Sequence, residues 1–146
     1  MAVIYRDGFM VVPVFLGNMR KAELAKKRTT DAEKFAVAAA KIAAERNSRE
    51  VTVLDLRGKS PATDYFIIAT STSDRQGRTV ADEICKQARN VGVERFGRAG
   101  YEQGRWILLD FVDVVVHIFD DEYRQYYNLE MLWGDAERID YPLGKI

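Results

Sequence analysis

The chain has 146 residues, 47% of them hydrophobic and 30% charged, a mix that suits one globular domain with a core of its own. Lys plus Arg and Asp plus Glu both number 22, so the formal net charge is zero; this argues against a free-standing nucleic-acid binder, which needs excess cations to meet phosphates, but not against a protein that binds another protein seated on RNA. The single cysteine, Cys85, excludes an intrachain disulfide and cysteine-pair metal sites, and it suits a reducing compartment such as the cytoplasm.

The apolar stretch FMVVPVFLG, residues 9 to 17, is too short to span a bilayer, which takes about 20 residues. It resembles the apolar part of a signal peptide, but Asp7 dilutes the preceding region and no small-residue cleavage site follows. We read residues 1–28 as an extension, a strand or loose arm followed by a solvated basic stretch, RKAELAKKR; Met19 is an alternative start. A helix is then expected from a capping box at Thr30 and Glu33, with Ala32, Phe35, Ala39 and Ile42 as its core stripe and Asn47 and Ser48 at its close.

VTVLDL, from Val51 to Leu56, reads as a β-branched strand. RGKSPATD is too short for a crossover helix, so the next strand, Tyr65 to Thr70, is expected to be antiparallel to the first. That second run, YFIIAT, is continuously apolar and suits a strand covered on both faces. Ser73 and Gln76 form another capping box, opening a helix with the stripe Val80, Ile84, Ala88 and Val91 and an end at Gly92. Val93 to Arg98 is a polar edge strand, and AGYEQG a turn. Arg105 to Asp110 and Val114 to Phe119 read as a hairpin closed by Phe111, Val112 and Asp113. Asp120 or Asp121 caps a last helical segment that Gly134 ends. Helix, two strands, helix, strands and short helix predict an α/β sandwich with a mixed sheet.

Three groups of residues invite a chemical reading. His117, the one histidine, shares a strand face with Val115 and Phe119. No G-x-S-x-G elbow accompanies it, and Cys85 sits in mid-helix, so nothing supplies a nucleophile. The plainer reading is a histidine at the edge of a core, with contact to a partner as the alternative. Asp110 and Asp113 flank the hairpin turn, while Asp55 and Asp64 lie near other strand ends. Converging carboxylates can hold Mg²⁺ for phosphoryl transfer, which would make a metal-dependent nucleotidyltransferase-like enzyme. ATSTSDRQGR has no phosphate-cradling glycine pattern, however, and turn-making explains the acids. Tyr123, Tyr126, Tyr127, Leu129, Met131, Leu132 and Trp133 crowd one segment. In a continuous helix Tyr123 and Tyr127 share one face, Tyr126, Leu129 and Trp133 another. One face is expected in the core and one outside, with Trp106 as a neighbour, since Tyr and Trp anchor interfaces as well as cores.

Taken together, LDLRGKSPATDYFIIATSTSDRQ and RWILLDFVDVVVHIFDDEYRQYYNLEMLWGDA resemble the ribosomal silencing factor, or Iojap, family from about Thr30 to Ala136. The resemblance implies a domain over residues 29–136, a tail at 137–146, and a nucleotidyltransferase-like fold without catalysis, cofactor or metal. It implies binding to large-subunit ribosomal protein number fourteen at the face where the small subunit joins, lowering translation when nutrients are scarce, and a homodimer when free. Direct sequence-specific nucleic-acid binding and membrane association are not implied. By motif, the partner-binding residues would be Asp64, Tyr65, Trp106, Asp110, Asp113, His117, Phe119, Tyr126, Tyr127, Leu129 and Trp133, with Asp110 and Asp113 pairing cations. Arg75 and Gln76 would set a helix start. Three features depart from the family: Val112 replaces a customary glycine, Ala99 a frequent acid, and the first 28 residues match nothing in it. The competing functions are the enzyme using Asp110 and Asp113, and a dimeric adaptor unrelated to ribosomes.

Overall fold

The computed structural model describes the backbone of Ile4–Arg6, Phe9–Val11 and residues 21–141, and the side chains of residues 31–141. Ile4–Arg6 (β1) and Phe9–Val11 (β2) pair antiparallel. The rest of the apolar N-terminal stretch, and the alternative start at Met19, lie outside the described residues.

The first helix, α1, spans Lys21–Glu45. It runs unbroken through Thr29 and Thr30, so the Thr30–Glu33 pair does not start a helix. The reason is local: KAELAKKR is made almost entirely of strong helix formers, which carry the helix past a box-like pattern. The boundary drawn between residues 28 and 29 therefore falls inside α1. Its buried stripe holds Ala32, Phe35, Ala36, Ala39, Ala40 and Ala43. Five of these six are alanines, which let the helix backbone lie close to the sheet; Ile42 packs at the margin.

Strand β3, Arg49–Asp55, carries a register shift between Arg49 and Thr52, where Glu50 has φ +49°. It pairs antiparallel with β4, Tyr65–Thr70, as the short connection requires. Helix α2, Asp74–Asn90, is capped by Ser73, whose hydroxyl accepts from the Gln76 amide at 3.0 Å. The Gln76 side chain reaches one residue further back than the N-cap amide a capping box uses. Its Oε1 accepts from the Thr72 amide, and its Nε2 donates to Arg46 O at 2.7 Å and Ser48 Oγ at 3.1 Å. One glutamine thus ties the start of α2 to the end of α1. Val91, expected in the α2 stripe, is 53% exposed because the helix has ended at Asn90; Gly92 follows with φ +75°.

The edge strand β5 is Gly97–Ala99, shorter than expected. β6, Trp106–Asp110, and β7, Val114–Phe119, form the antiparallel hairpin. Helix α3, Asp121–Tyr127, is capped by Asp120, whose Oδ1 accepts from the Tyr123 amide at 2.7 Å. Helix α4 is Leu129–Leu132, and β8, Glu137–Arg138, pairs with β3. Beyond it the Tyr141 hydroxyl donates to Val51 O at 2.6 Å, so residues 137–141, read as tail, are tied to the sheet.

The six-stranded sheet has the order β5-β6-β7-β4-β3-β8. Only β4 and β7 pair in parallel, so the sheet is mixed. β4 and β7 are buried along their whole length, as continuous apolar runs predict. α1 and α2 cover one face, over Val53, Ile67, Leu109, Val116 and Ile118. The opposite face carries Leu54, Phe66, Ile68, Leu108, Val115 and Phe119, packed with Leu129 and Trp133 of the last helical segment. Among the described residues, no helix is long and apolar enough to cross a membrane.

Candidate partner-binding surface

Alternation along β7 puts Val114, Val116 and Ile118 under α1 and α2, and Val115, His117 and Phe119 on the opposite face. His117 is fully buried there. The hairpin places Leu108 opposite His117 and Trp106 opposite Phe119, which brings the indole of Trp106 onto the same face. Trp106 Nε1 donates to His117 Nδ1 at 3.1 Å. The Phe66 ring meets His117 edge-on at 4.5 Å, and Phe119 lies nearly parallel to it at 6.0 Å. Burial pushes the imidazole pKa down to about 3, so the ring is neutral at ordinary pH and accepts at Nδ1.

The aromatic segment does not form one helix. Asn128 adopts φ +45°, closing α3 and separating it from α4. This resets the helical phase, so the expected grouping of Tyr126, Leu129 and Trp133 does not form. Leu129 is 2% exposed, whereas Tyr126 is 79% exposed. Asparagine tolerates this left-handed conformation better than most residues, which is why the break falls there. Tyr123, Tyr127 and Trp133 turn toward the sheet, and Tyr126, Met131 and Leu132 face solvent. Tyr127 packs at a tilt against Trp106, the neighbour expected, with ring centres 4.5 Å apart, and meets Tyr126 edge-on at 5.0 Å.

The segment is pinned by a buried cation. Arg124 Nε and Nη2 donate to both carboxylate oxygens of Glu130, at 3.1 and 3.2 Å, and Nη1 donates to Thr70 Oγ1 at 2.9 Å. A guanidinium makes such a two-pronged contact with a fixed geometry, so it holds α3, α4 and β4 together across the break. Arg105 borders the surface: it pairs with Asp120 at 2.6 Å and lies 4.2 Å over the Tyr123 ring.

Of the residues expected to bind a partner, Tyr126 is exposed, and Asp64, Trp106, Asp113, Tyr127 and Trp133 are half-buried. Tyr65, Asp110, His117, Phe119 and Leu129 are buried, so in this conformation they support a surface rather than form it. Asp110, expected to pair a partner cation, has its carboxylate covered, and Oδ1 accepts from the Val112 amide at 2.8 Å. The backbone carbonyl of Asp113 accepts from the amides of Asp64 and Tyr65. Tyr65 lies on the α1 side of the sheet, away from the aromatic segment, with its hydroxyl unpartnered among the described residues. Burial raises that hydroxyl to a pKa of about 12. Among the described residues, no group of three or more His, Cys, Asp or Glu side chains is placed to hold a metal ion. Met131 and Leu132 are not among the binding candidates read from the sequence, although, like Tyr126, they are largely exposed; the signal that could have found them is the asparagine that shifts the phase.

Residues 29–145 match the model of a family described as ribosomal silencing factor during starvation. The chain is 41% identical over 100 residues to the ribosomal silencing factor of Bacillus subtilis, covering 68% of this chain and 85% of that protein. It is 39% identical over 111 residues to the chloroplastic protein Iojap of Zea mays, covering 74% of this chain and 47% of that one. A crystal structure of a protein from Bacillus halodurans superposes with a TM-score of 0.63 at 36% identity, over 76% of this chain and 98% of that one. One from Chromobacterium violaceum gives 0.66 at 29% identity, over 80% and 93%.

Proposed function

The chain belongs to the ribosomal silencing factor family, and on that premise we propose that it represses translation by binding the large ribosomal subunit and blocking its union with the small one. The partner on the subunit is ribosomal protein number fourteen, and the mechanism is steric. An ordinary interface buries about 1,600 Å² in all, and occupying part of the joining face with that footprint is enough to stop a larger body from docking. The task calls for a rigid surface with aromatic anchors and needs no chemical turnover.

The observation that carries this reading is the ridge formed by the α3–α4 segment, which leaves Tyr126, Met131 and Leu132 exposed while Tyr127 and Trp133 pack on the sheet face that also carries Trp106. Large apolar groups left in water over a packed aromatic base are what protein interfaces use as anchors. Asp121, Glu122 and Asp135 are exposed on or just after the α3–α4 segment in the chain, Glu122 pairing with Arg105 and Asp135 with Lys59, and exposed acids suit a basic ribosomal protein and speed its encounter. The family is named for silencing rather than for a catalysed reaction, in keeping with a binding role.

The test is sedimentation of the purified protein with separated large subunits, followed by a joining assay with added small subunits. The protein is expected to travel with the large subunit and to reduce the joined fraction in proportion to its occupancy. A protein that stays at the top of the gradient and leaves joining unchanged overturns the proposal.

A further inference from the structure

We infer that His117 is a positioning residue: by accepting from the Trp106 indole, its buried Nδ1 fixes the ring on which the docking ridge stands. The inference rests on the docking reading above, because it gives His117 a task within that surface. His117 is fully covered, so it cannot itself touch a partner. What it can do is decide how Trp106 is presented.

An indole N–H only donates, and a donor that loses its acceptor in a covered position is costly. A Trp ring turned over about its Cβ–Cγ bond fills nearly the same outline but sends its N–H elsewhere. Packing alone distinguishes the two orientations weakly; an acceptor at 3.1 Å distinguishes them strongly. The acceptor cannot swing aside, because Phe66 lies edge-on at 4.5 Å and Phe119 nearly parallel at 6.0 Å. It also keeps its lone pair. Removed from water, the imidazole stays neutral, whereas a protonated ring would set an N–H against the N–H of Trp106.

The ring so fixed is the one the ridge leans on. Trp106 contacts Phe119 at 4.9 Å and Tyr127 at 4.5 Å, and Tyr127 meets the exposed Tyr126 at 5.0 Å. A chain of contacts therefore runs from the buried Nδ1 to a solvent-facing tyrosine. Holding the Trp106 and Tyr127 rings before the partner arrives removes part of the ordering cost of association.

The test compares the full-length protein with His117→Phe, which keeps an aromatic ring and deletes the acceptor, and with His117→Asn, which places an oxygen about where Nδ1 lies. The first measurement is the indole N–H signal of Trp106 by nitrogen–proton NMR, assigned with Trp106→Phe. In the wild type it should be shifted downfield and protected from exchange; His117→Phe should abolish both features and His117→Asn restore them. The second is affinity for large subunits by sedimentation titration, where His117→Phe should bind about tenfold more weakly, and His117→Asn should recover most of the loss. In a Trp106→Phe background the effect of His117→Phe should vanish. An unprotected Trp106 indole in the wild type, or a folded His117→Phe protein that binds like the wild type, overturns the inference. If His117→Phe does not fold, the decision passes to the wild-type indole and to His117→Asn, which must keep both protection and binding. A wild type that shows the protected indole but ignores large subunits overturns the ribosomal reading instead, and with it the docking task assigned to His117, while the hydrogen bond itself stands.

Discussion

Replacing Val112 by glycine and, separately, by alanine should reverse the usual stability order of those two residues. Val112 holds φ +70° at the tip of the β6–β7 hairpin. The Asp113 amide donates to Phe111 O at 2.9 Å across it, which is the hydrogen bond of a three-residue turn in its strained, positive-φ form. A side chain with a Cβ costs about 1–2 kcal/mol there, and a β-branched one is especially unfavourable. Glycine avoids that cost but gives up about 0.5–1 kcal/mol through the greater freedom of its unfolded chain. The Val112 side chain is 39% exposed, so either replacement forfeits only part of its burial, about 1 kcal/mol. Alanine keeps much of the strain and loses the burial; glycine loses the burial and the strain together. The Val112→Gly protein should therefore stay near the wild type and exceed the Val112→Ala protein by about 1 kcal/mol, or about 3 °C in melting temperature for a chain of this size. Urea titrations and calorimetry on the three proteins measure this directly. A Val112→Ala protein as stable as the Val112→Gly protein would show that the turn stores no such strain.

Three further outcomes are expected. Tyr126→Ala should leave the unfolding free energy within about 0.5 kcal/mol of wild type while weakening large-subunit binding by about 2 kcal/mol, whereas Tyr127→Ala should lower stability by about 2 kcal/mol as well; sedimentation and denaturation on the same preparations separate the two. Arg124→Met should destabilise by about 2–3 kcal/mol, since it strands the Glu130 carboxylate and the Thr70 hydroxyl, and hydrogen exchange should rise first in α3 and α4. The His117 pKa falls from 6.5 in the unfolded chain to about 3 in the fold, so its stabilising contribution is complete above pH 6.5 and is lost as pH drops toward 3. Between pH 8 and pH 5 that loss is about 2 kcal/mol, and chemical denaturation of His117→Asn should lack this component of the pH dependence.

How far the sequence could be read depended on whether a feature was local. Tyr65–Thr70 and Val114–Phe119 were legible to the residue because a continuous apolar run has few other homes than a strand covered on both faces. The start of α1 was not, since a Thr-x-x-Glu pattern within a run of helix formers looks like a beginning whether or not the helix is already under way. The aromatic segment divided into inner and outer faces as its density suggested. Which side chain went where turned on the backbone of Asn128, and one asparagine is too weak a signal by itself to fix a helix break between two helical runs. His117 was put on the right face by simple alternation. Its hydrogen bond was out of reach, because that depends on how the hairpin sets Trp106 against Phe119. Val112 departs from the family's customary glycine, and the backbone there takes φ +70°, the conformation a glycine would hold with less strain.

The parallel pairing of β4 with β7 has a consequence for synthesis. Its register joins Tyr65 to Val114 and Thr70 to Phe119, so the middle of the sheet cannot close until α2, β5 and β6 have been made and β7 has left the exit tunnel. Before then, β3 and β4 can form a hairpin under α1, but without β7, the strand that flanks β4 on its other side in the finished sheet. The long connection must also be closed before the central contacts repay its entropy. A chain halted before β7 has emerged would therefore lack the strand that joins β4 to β6, and the six-stranded sheet should close only once that strand is free. Stalled nascent chains that hold β7 inside the tunnel, and ones in which an added linker carries β7 clear of it, should differ sharply in resistance to protease.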